Sequence, residues 1–557
     1  MMQPEMRTRE VRLDWTVFLF MFCAEFAFGY FLCVVKYDIP NDALSRVANA
    51  YYVFFSRDPH LAAIGFVWNP LPSLAELPLV LLSRLCPLLV SHALAGVILA
   101  AVAAAGQAVL ILRQFRKHLG SVGWGLAMAG LLAIHPFLFL YGANGMSEMM
   151  FSFFLVWCVC AWTDWLASHA VKDLTRAGIA LSLAFLTRYE AVAFGMAMAL
   201  AVTMAAWRHS RNVLAGLETL PPGGHAWGMR SIRREQRWYT TASLLVFLTP
   251  SVYAGIIWIL SNGIIMKDPL YFFHSAYSNQ SQSSVLQSTE EFSSMVGHPL
   301  HVMAFMAQRL AVFVLPYLAL MVFRWLHGRL WTWSSLTLTL LILSIPSLQF
   351  VLLLEGHSYG WLRFFFYPLP LTIAWMPYEL ANREPAARKA ERCEAPASRF
   401  QRRRVLYGVA LALVTSGSGV CFVMDNARLA PEEYDIIHQR WNLGRMETTR
   451  EIAQYLDAHA PHSFILMDSF SAFNVIVNTR NPKRLIITSD RDFQAALHNP
   501  PAHHVQFMLV PEPDTVFQFD AINLQYPQFY AHGAKWATLV KQFPGWRLYA
   551  VRPPAAR

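Results

Sequence analysis

Charged side chains are scarce in this chain of 557 residues. Asp, Glu, Lys and Arg make up 14% of the sequence, whereas hydrophobic residues make up 55% and the mean hydropathy is +0.35. Soluble globular domains carry about 25% charged residues. The scarcity excludes an ordinary soluble enzyme and favours a helical protein that crosses a membrane many times.

Cysteine is also missing from the regions where disulfide bonds would be useful. None of the seven cysteines lies after Cys421, so disulfide bonds do not staple the C-terminal region. Cys158 and Cys160 are two positions apart, a spacing that suits neither a zinc knuckle nor a redox pair, and we predict both to be buried structural residues. The C-terminal region has no glycine-rich phosphate loop, so we assign it no cofactor. The first apolar run has no small-residue cleavage site and is predicted to be an anchor.

Hydropathy predicts eleven spans within the first 425 residues. They are expected near 14–35, 91–112, 121–141, 148–166, 176–188, 190–207, 240–262, 300–323, 333–354, 363–380 and 405–424. Segments then assigned to the cytoplasm carry 24 Lys and Arg, against eight at all remaining positions before 425. This asymmetry follows the positive-inside rule. We therefore predict a multi-pass protein of the cell (inner) membrane, with a cytoplasmic N-terminus and an extracytoplasmic C-terminus.

The composition changes after Asn426 to that of a small soluble domain. Helices are predicted over 446–459 and 490–498, and strands over 464–467, 475–478, 485–488, 505–510 and 546–551. This alternation indicates an α/β layer fold. The predicted organisation is an α-helical polytopic membrane domain over 1–425, followed by a soluble extracytoplasmic α/β domain over 426–557.

Two predicted cytoplasmic loops, 208–238 and 381–404, are strongly basic. Such loops can bind nucleic acid, but beside membrane spans we expect them to fix topology against anionic lipid. No fixed-period repeat or pair of matched halves is apparent in the sequence, which weighs against an inverted-repeat transporter.

Acids, bases and aromatic residues crowd together in one stretch of the membrane half, residues 38–72. Asn41 is predicted to be the N-cap of a helix that continues from Asp42. Four polar residues at i, i+3, i+4 and i+7 share one face of this helix: Asp42, Ser45, Arg46 and Asn49. The other face is apolar. The pattern is typical of an interfacial helix with a solvated polar face, or of a helix that presents a functional site.

With the predicted topology, five segments from distant parts of the chain bring ionisable groups to the outer membrane surface. Their candidate substrate-binding residues, besides Ser45 and Arg46 on the helix above, are Arg57, Asp58, His60, Glu148, Arg188, Glu190, Lys267 and Arg363. Convergence of this kind is typical of a functional site.

Transfer of a sugar from a lipid phosphate to a hydroxyl would need few groups. One carboxylate must take the proton of the attacking hydroxyl, and cations must hold the departing phosphate. Asp42, early in its helix, suits the role of base; the rival carboxylates are Asp38 and Asp58. Arg188 and Arg363 suit the phosphate, with Lys267 and Arg57 as further candidates. The alternative for Arg188 is an interfacial residue that pairs with Glu190.

Four short motifs resemble those of a known superfamily. They are Asn41-Asp42-Ala43-Leu44-Ser45-Arg46, Ser147-Glu148, Leu186-Thr187-Arg188-Tyr189-Glu190 and Arg363-Phe364-Phe365-Phe366-Tyr367. With the outer α/β domain, they are similar to integral-membrane glycosyltransferases of the GT-C type, the protein-mannosyltransferase and aminoarabinose-transferase superfamily. The resemblance implies a polyprenyl-phosphate-linked sugar donor, inversion at the anomeric carbon and Asp42 as catalytic base.

One departure from that superfamily concerns a second acid. Many members carry two adjacent acidic residues in the first loop, whereas Ala43 follows Asp42 here. The role of a second acid and of any metal is therefore open. A carboxylate-rich site permits a divalent cation but does not require one, and we assign no metal ligands.

The resemblance leaves the acceptor, whether glycan, lipid or protein, and the sugar unspecified. The main alternative is a non-catalytic flippase or transporter of lipid carriers, which would need polar residues through the bilayer midplane. Here the polar groups cluster at one surface, which favours the enzyme. A third reading, an assembly partner with an outer docking domain, accounts for the soluble tail but not for the convergence of ionisable groups.

Overall fold

The computed structural model describes residues 4–218, 229–275, 277–278, 281, 290–381, 399–438, 442–514 and 517–552. The tips of both basic loops, the Ser/Gln-rich run over 282–289 and Cys393 lie outside these ranges. Within them, Cys158 and Cys160 are buried, as predicted.

Helices dominate the first 425 residues. In chain order they are α1 (Pro4–Tyr30), α2 (Asn41–Phe55), α3 (Leu71–Leu81), α4 (Leu88–Ser91), α5 (Leu94–Leu119), α6 (Val122–Ala133), α7 (Pro136–Ala143), α8 (Ser147–Ser168), α9 (Val171–Thr187), α10 (Ala191–Glu218), α11 (Met229–Ile265), α12 (Tyr271–His274), α13 (Glu290–Ser293), α14 (Pro299–Leu310), α15 (Leu315–Leu326), α16 (Trp333–Leu354), α17 (Pro368–Leu380) and α18 (Arg399–Met424). A π-helical turn, Phe31–Val35, extends the first of them.

Among the described residues, seven helices are long and apolar enough to cross a membrane, and two bent pairs raise that number to nine. The pairs α6–α7 and α14–α15 bend by 73° and 95° at breaks beside Pro136 and Pro316. Proline lacks the N–H that would continue a helix. The two other predicted spans, near 176–188 and 363–380, are present as the shorter helices α9 and α17. The polytopic helical class is confirmed, with fewer full-length spans than eleven.

A close backbone contact fixes the loop before α8. A Cβ atom added to Gly96 at the start of α5 would lie 2.9 Å from the backbone oxygen of Gly145. Gly145 has φ +78, which side-chain-bearing residues rarely adopt. Small residues allow such approach between membrane helices. The contact places Ser147 and Glu148, at the start of α8, against the N-terminal end of α5.

The C-terminal part contains a five-stranded sheet in the order β2-β1-β3-β5-β4. The strands are β1 (Ile465–Leu466), β2 (Leu485–Ile486), β3 (Phe507–Pro511), β4 (Ala537–Phe543) and β5 (Trp546–Val551), and the helices are α19 (Pro431–His438), α20 (Asn442–His459), α21 (Ser469–Asn478), α22 (Phe493–His498), α23 (Ala521–Gln525) and α24 (Phe529–His532). β1 pairs in parallel with β2 and β3, whereas β5 pairs antiparallel with β3 and β4. The α/β class is confirmed.

Two details of this region were predicted wrongly or missed. The predicted strand 475–478 lies in α21, because the carboxylate of Asp468 caps the helix by accepting a hydrogen bond from the backbone N–H of Phe470. Strand β4 was missed because its five central residues are all exposed and show no alternation of apolar side chains.

Candidate functional site

Helix α2 presents the first element of the site. Its N-cap is Pro40, whose carbonyl accepts a hydrogen bond from the N–H of Leu44, so the prediction of Asn41 as N-cap is wrong and Asn41 is the first helical residue. Most of the apolar face of the helix is buried. On the other face the side chain of Asp42 is 53% exposed.

Arg363 is the centre of the site. Its side chain is only 2% exposed, and its Nη1 donates to Oδ2 of Asp42 at 2.9 Å. Nη1 also lies 3.3 Å from Oε1 of Glu148, and Nε lies 3.0 Å from Oε2 of Glu432. One guanidinium therefore faces three carboxylates from three distant parts of the chain.

Arg188 forms the second half of the cluster. Its Nη1 donates to Glu148 at 2.5 Å and its Nη2 to Glu190 at 2.6 Å. Glu148 is fully buried and is shared by both arginines. Five of the predicted residues are thus brought together, and we call them the Arg363 cluster: Asp42, Glu148, Arg188, Glu190 and Arg363.

Aromatic rings border the two guanidinium groups. The guanidinium carbon of Arg363 lies 4.1 Å from the ring centroid of Trp361. The ring of Phe364 is 5.5 Å from the guanidinium carbons of both Arg188 and Arg363. Contacts at this distance attract a cation to the ring face, most strongly where water is excluded.

The charge on Asp42 is set by opposing effects. Burial by neighbouring atoms raises its pKa, but the guanidinium groups of Arg363 and Arg46 lower it more, so that the pKa of Asp42 lies below its usual value. Asp42 is therefore an ionised and accessible carboxylate at neutral pH, the state that a general base requires.

Arg46 lies one turn after Asp42 on the same helical face, as predicted, and is partly buried. Among the described residues its guanidinium has no hydrogen-bond or ion-pair partner, unlike those of Arg188 and Arg363. Burial lowers its pKa, and the charge of Asp42 opposes that effect. Arg46 is thus a cation beside the site with free donor groups. The predicted partner Ser45 uses its hydroxyl on the backbone oxygen of Asp42, at 3.1 Å.

Four predicted residues do not join the cluster. Arg57 pairs with Asp490, at 3.1 Å, and Asp492, and Asp58 pairs with Arg491 at 3.2 Å. These contacts join the end of the first loop to the C-terminal sheet region, and we call them the clasp.

The remaining predicted residues also lie outside the Arg363 cluster. His60 contacts the backbone oxygen of Asp58, its Nδ1 lying at 2.6 Å. Lys267 is exposed and has no ion pair within the described part of the chain. Of the two rival carboxylates, Asp58 is engaged in the clasp, and Asp38 is buried. Residue type alone did not separate these groups from the cluster.

Four residues near the site were not predicted from the sequence: Glu432, Glu433, Tyr141 and Glu76. Glu433 accepts a hydrogen bond from the hydroxyl of Tyr141 at 2.6 Å. Burial raises the pKa of both Glu432 and Glu433, against the opposing charge of Arg363. Glu76 is also buried, which raises its pKa to about 8 although Arg46 acts in the opposite sense. The available signal was Pro431-Glu432-Glu433 directly after the last span, a helix start with two acids.

No group of three or more His, Cys, Asp or Glu side chains suited to a metal ion occurs among the described residues. The carboxylates of the cluster face guanidinium groups instead of one another. The cluster can hold a carboxylate in its ionised form and can present cationic donors to an anion. These are the two capacities that base-assisted group transfer from a phosphate requires.

Comparison with known proteins identifies the fold. No family model matches the sequence, and it has no significant match among curated proteins. The structure is similar to that of ArnT from Cupriavidus metallidurans bound to undecaprenyl phosphate, with a TM-score of 0.51, 14% sequence identity and 97% of each chain covered. The apo form of that protein gives a TM-score of 0.48 at 14% identity, covering 96% of this chain and 98% of the other. The chain therefore has a GT-C-like fold.

Proposed function

We propose that the chain is a membrane glycosyltransferase that moves a sugar from a polyprenyl-phosphate-linked donor to an acceptor hydroxyl on the outer face of the cell membrane. The observation that carries this proposal is the Arg363 cluster: an accessible carboxylate, Asp42, is held at 2.9 Å by a buried arginine. A second arginine on the same helix, Arg46, has no ion-pair partner among the described residues. A non-catalytic carrier protein would have no need of a base placed in this way.

Asp42 is the catalytic base in this scheme. Its carboxylate takes the proton of the acceptor hydroxyl while the hydroxyl oxygen forms a bond to the anomeric carbon. The bond from that carbon to the phosphate oxygen breaks, and the phosphate leaves with the electron pair. Attack from the face opposite the phosphate inverts the anomeric configuration. The phosphate is a good leaving group, so no general acid is needed.

Arg46 and Arg363 hold the departing phosphate. Arg188 is the weaker candidate, because its donors are engaged by Glu148 and Glu190. In Arg363, by contrast, Nη1 donates to Asp42 and Nε lies against Glu432. Its Nη2 donates to no described residue and is therefore available for a phosphate. Charge-assisted hydrogen bonds from both arginines would stabilise the charge that grows on the phosphate. A divalent cation is not required.

The similarity to ArnT supports the choice of donor. That protein binds undecaprenyl phosphate, and the likeness supports a polyprenyl phosphate carrier and an inner-membrane location for this chain. The base, the phosphate ligands and the outer-face orientation rest instead on the charge distribution and on the Arg363 cluster. Glu148 and Glu190 complete the scheme. Both hold Arg188 in place, and Glu148 also holds Arg363.

The proposal is tested with purified protein in nanodiscs and a panel of undecaprenyl-phosphate pentoses and hexoses. Cell-envelope lipid and glycan fractions serve as acceptors, and mass spectrometry measures release of undecaprenyl phosphate. The expected result is acceptor-dependent release from at least one donor, with an inverted product by NMR. Movement of undecaprenyl phosphate across vesicles without any sugar transfer would favour the flippase instead and contradict the proposal.

A further inference from the structure

Glu432 contacts the Arg363 cluster from a part of the sequence far from the first loop. It lies at the start of α19, which follows the last long helix, α18, whereas Asp42 belongs to the first loop. Its Oε2 is 3.0 Å from Nε of Arg363, an ion-pair contact in which neither atom forms a hydrogen bond within the described residues. Its side chain is 28% exposed, so that it lies at the edge of the cluster. Its neighbour Glu433 is directed away, to the hydroxyl of Tyr141.

The nitrogen atoms of Arg363 have separate partners. Nη1 faces Asp42 and Glu148, and Nε faces Glu432, while Nη2 has no hydrogen-bond partner among the described residues. A guanidinium is planar, so partners at Nη1 and Nε fix both its position and the direction of its plane. Nη2 then has one direction in which to donate.

We propose, building on the sugar transfer proposed above, that Glu432 is a positioning residue that holds the Nε edge of Arg363 and directs Nη2 toward the donor phosphate. The segment after the last span thereby completes the active site. It also supplies a second acid for the site, which the first loop lacks at Ala43. Glu432 touches neither the reacting hydroxyl nor the anomeric carbon in this scheme and acts through Arg363 alone.

Two properties of the cluster support this role. The side chain of Arg363 is 2% exposed, so the opposite charge of Glu432 at its Nε edge offsets part of the free energy that burial of the guanidinium costs. Glu432 comes from an element whose helix start is itself fixed, since Glu433 is bonded to Tyr141 in α7 at 2.6 Å. The anchor at Glu433 places the neighbouring carboxylate without requiring Glu432 to support the fold.

The experiment compares Glu432→Ala, Glu432→Gln and Glu433→Gln, with undecaprenyl phosphate as the probe. Binding is measured in nanodiscs, and kcat and KM are measured with the panel donor that the unmodified protein uses best. Glu432→Ala should weaken undecaprenyl phosphate binding about tenfold, because the ion pair at Nε no longer fixes Arg363, and it should lower kcat because Asp42 then has a less fixed partner. Glu432→Gln keeps the size and polarity of the side chain but removes the charge of the ion pair, so its binding should lie between that of Glu432→Ala and that of the unmodified protein.

Glu433→Gln is the matched control, because it removes a neighbouring acid that has no contact with Arg363. Its amide oxygen can still accept the hydrogen bond of Tyr141, so the placement of Glu432 is kept and undecaprenyl phosphate binding should be unchanged. Unchanged binding in Glu432→Ala, as judged on folded protein, would overturn the inference. Tighter binding in Glu432→Ala would also overturn it, because the carboxylate would then be a competitor of the phosphate.

Failure of the inference is distinguishable from failure of the proposed function. If the unmodified protein neither binds undecaprenyl phosphate nor transfers any panel sugar, the proposed function is wrong and the inference falls with it. If the unmodified protein is active and Arg46→Gln weakens binding, while Glu432→Ala changes neither binding nor kcat, only the role of Glu432 is wrong.

Discussion

The two ends of the helical bundle handle charge in different ways. At the site end, around Arg363, one oxygen of each of four carboxylates accepts no hydrogen bond in the described structure: the buried Glu76, Glu148 and Glu433 and the partly buried Glu432. At the opposite end, acids are matched to bases. Asp14 pairs with Arg113 at 2.8 Å and with Arg116 at 3.1 Å.

Other pairs at the opposite end follow the same pattern. Asp164 pairs with Lys117 at 2.6 Å and with His118 at 3.0 Å, and the buried Arg324 pairs with Glu379. Balanced pairs tie neighbouring helices, whereas an excess of buried acid is unfavourable unless it is used. The contrast supports the proposal that the site end binds a ligand, whereas the pairs at the opposite end stabilise the fold.

The largest expected effect comes from the base. Asp42→Asn keeps the shape of the side chain but cannot accept the proton, so transfer should fall by at least about 100-fold, the usual scale for removal of a general base. Undecaprenyl phosphate binding should change little, because Arg46 and Arg363 remain. Sugar transfer and binding are measured on the same nanodisc preparation.

Asp38→Asn and Asp58→Asn are the matched controls for Asp42→Asn. Both should retain most of the activity, since Asp38 is buried and Asp58 is engaged by Arg491. Near-parental transfer by Asp42→Asn together with an inactive Asp58→Asn would show that the wrong carboxylate was chosen. Activity in all three variants would remove the first loop from the mechanism.

The second largest effect is expected from Arg46, which has no ion-pair partner among the described residues, in contrast to the paired Arg116. Arg46→Gln should weaken undecaprenyl phosphate binding by roughly 10- to 150-fold, which corresponds to the ~1.5–3 kcal/mol of a hydrogen bond to a charged group. Arg116→Gln, at the opposite end, should leave binding unchanged. Equal losses in the two variants would mean that the two ends do not differ in phosphate recognition.

Arg188→Gln sharpens the same comparison within the site end. Because Arg188 is already paired with Glu148 and Glu190, its removal leaves Glu190 without this ion pair and Glu148 with Arg363 only. Stability should therefore fall more than the affinity for undecaprenyl phosphate does. A loss of affinity at unchanged stability would place the phosphate at Arg188.

A smaller effect is expected from the opposite end. Glu379→Ala leaves Arg324, which is almost fully buried, with hydroxyl partners only. The free energy of unfolding should fall by about 1–3 kcal/mol, and kcat/KM per folded molecule should not change. Chemical denaturation and kinetics on the same sample check this. Altered KM with normal stability would contradict a purely structural role for this pair.

The smallest effect is expected from the clasp. The side chain of Arg491 is 71% exposed, and exposed ion pairs contribute about 1 kcal/mol or less. Arg491→Ala should therefore leave both the melting temperature and sugar transfer close to those of the unmodified protein. A large loss of transfer would show that the clasp holds the first loop in its active position.

Much of the site end could be predicted from the sequence. Asp42, Arg188 and Arg363 flank long apolar runs, so that topology alone placed them on one surface, and the structure brings them together with Glu148 and Glu190. The face shared by Asp42 and Arg46 followed from helical periodicity. The roles of these residues stay predictions.

The remainder depended on tertiary structure. Glu432 lies in a segment that, as sequence, resembles a linker, and only packing of α19 against Tyr141 and Arg363 reveals it. Arg57 and Asp58 are ionisable residues like those of the site, but they pair with residues more than 400 positions away in the sequence. No local sequence pattern predicts such pairing. The boundary between 425 and 426, the orientation across the membrane and the need for a cation also stay predictions.

Cryo-electron microscopy of the protein with undecaprenyl phosphate in nanodiscs tests the difference between the two ends most directly. We expect phosphate density at the site end, within hydrogen-bond distance of Arg46 and of Nη2 of Arg363, with Asp42 facing the space beyond the phosphate. Phosphate density at the opposite end, beside Arg116 or Arg324, or density at the site end without contact to either Arg46 or Arg363, would contradict this expectation.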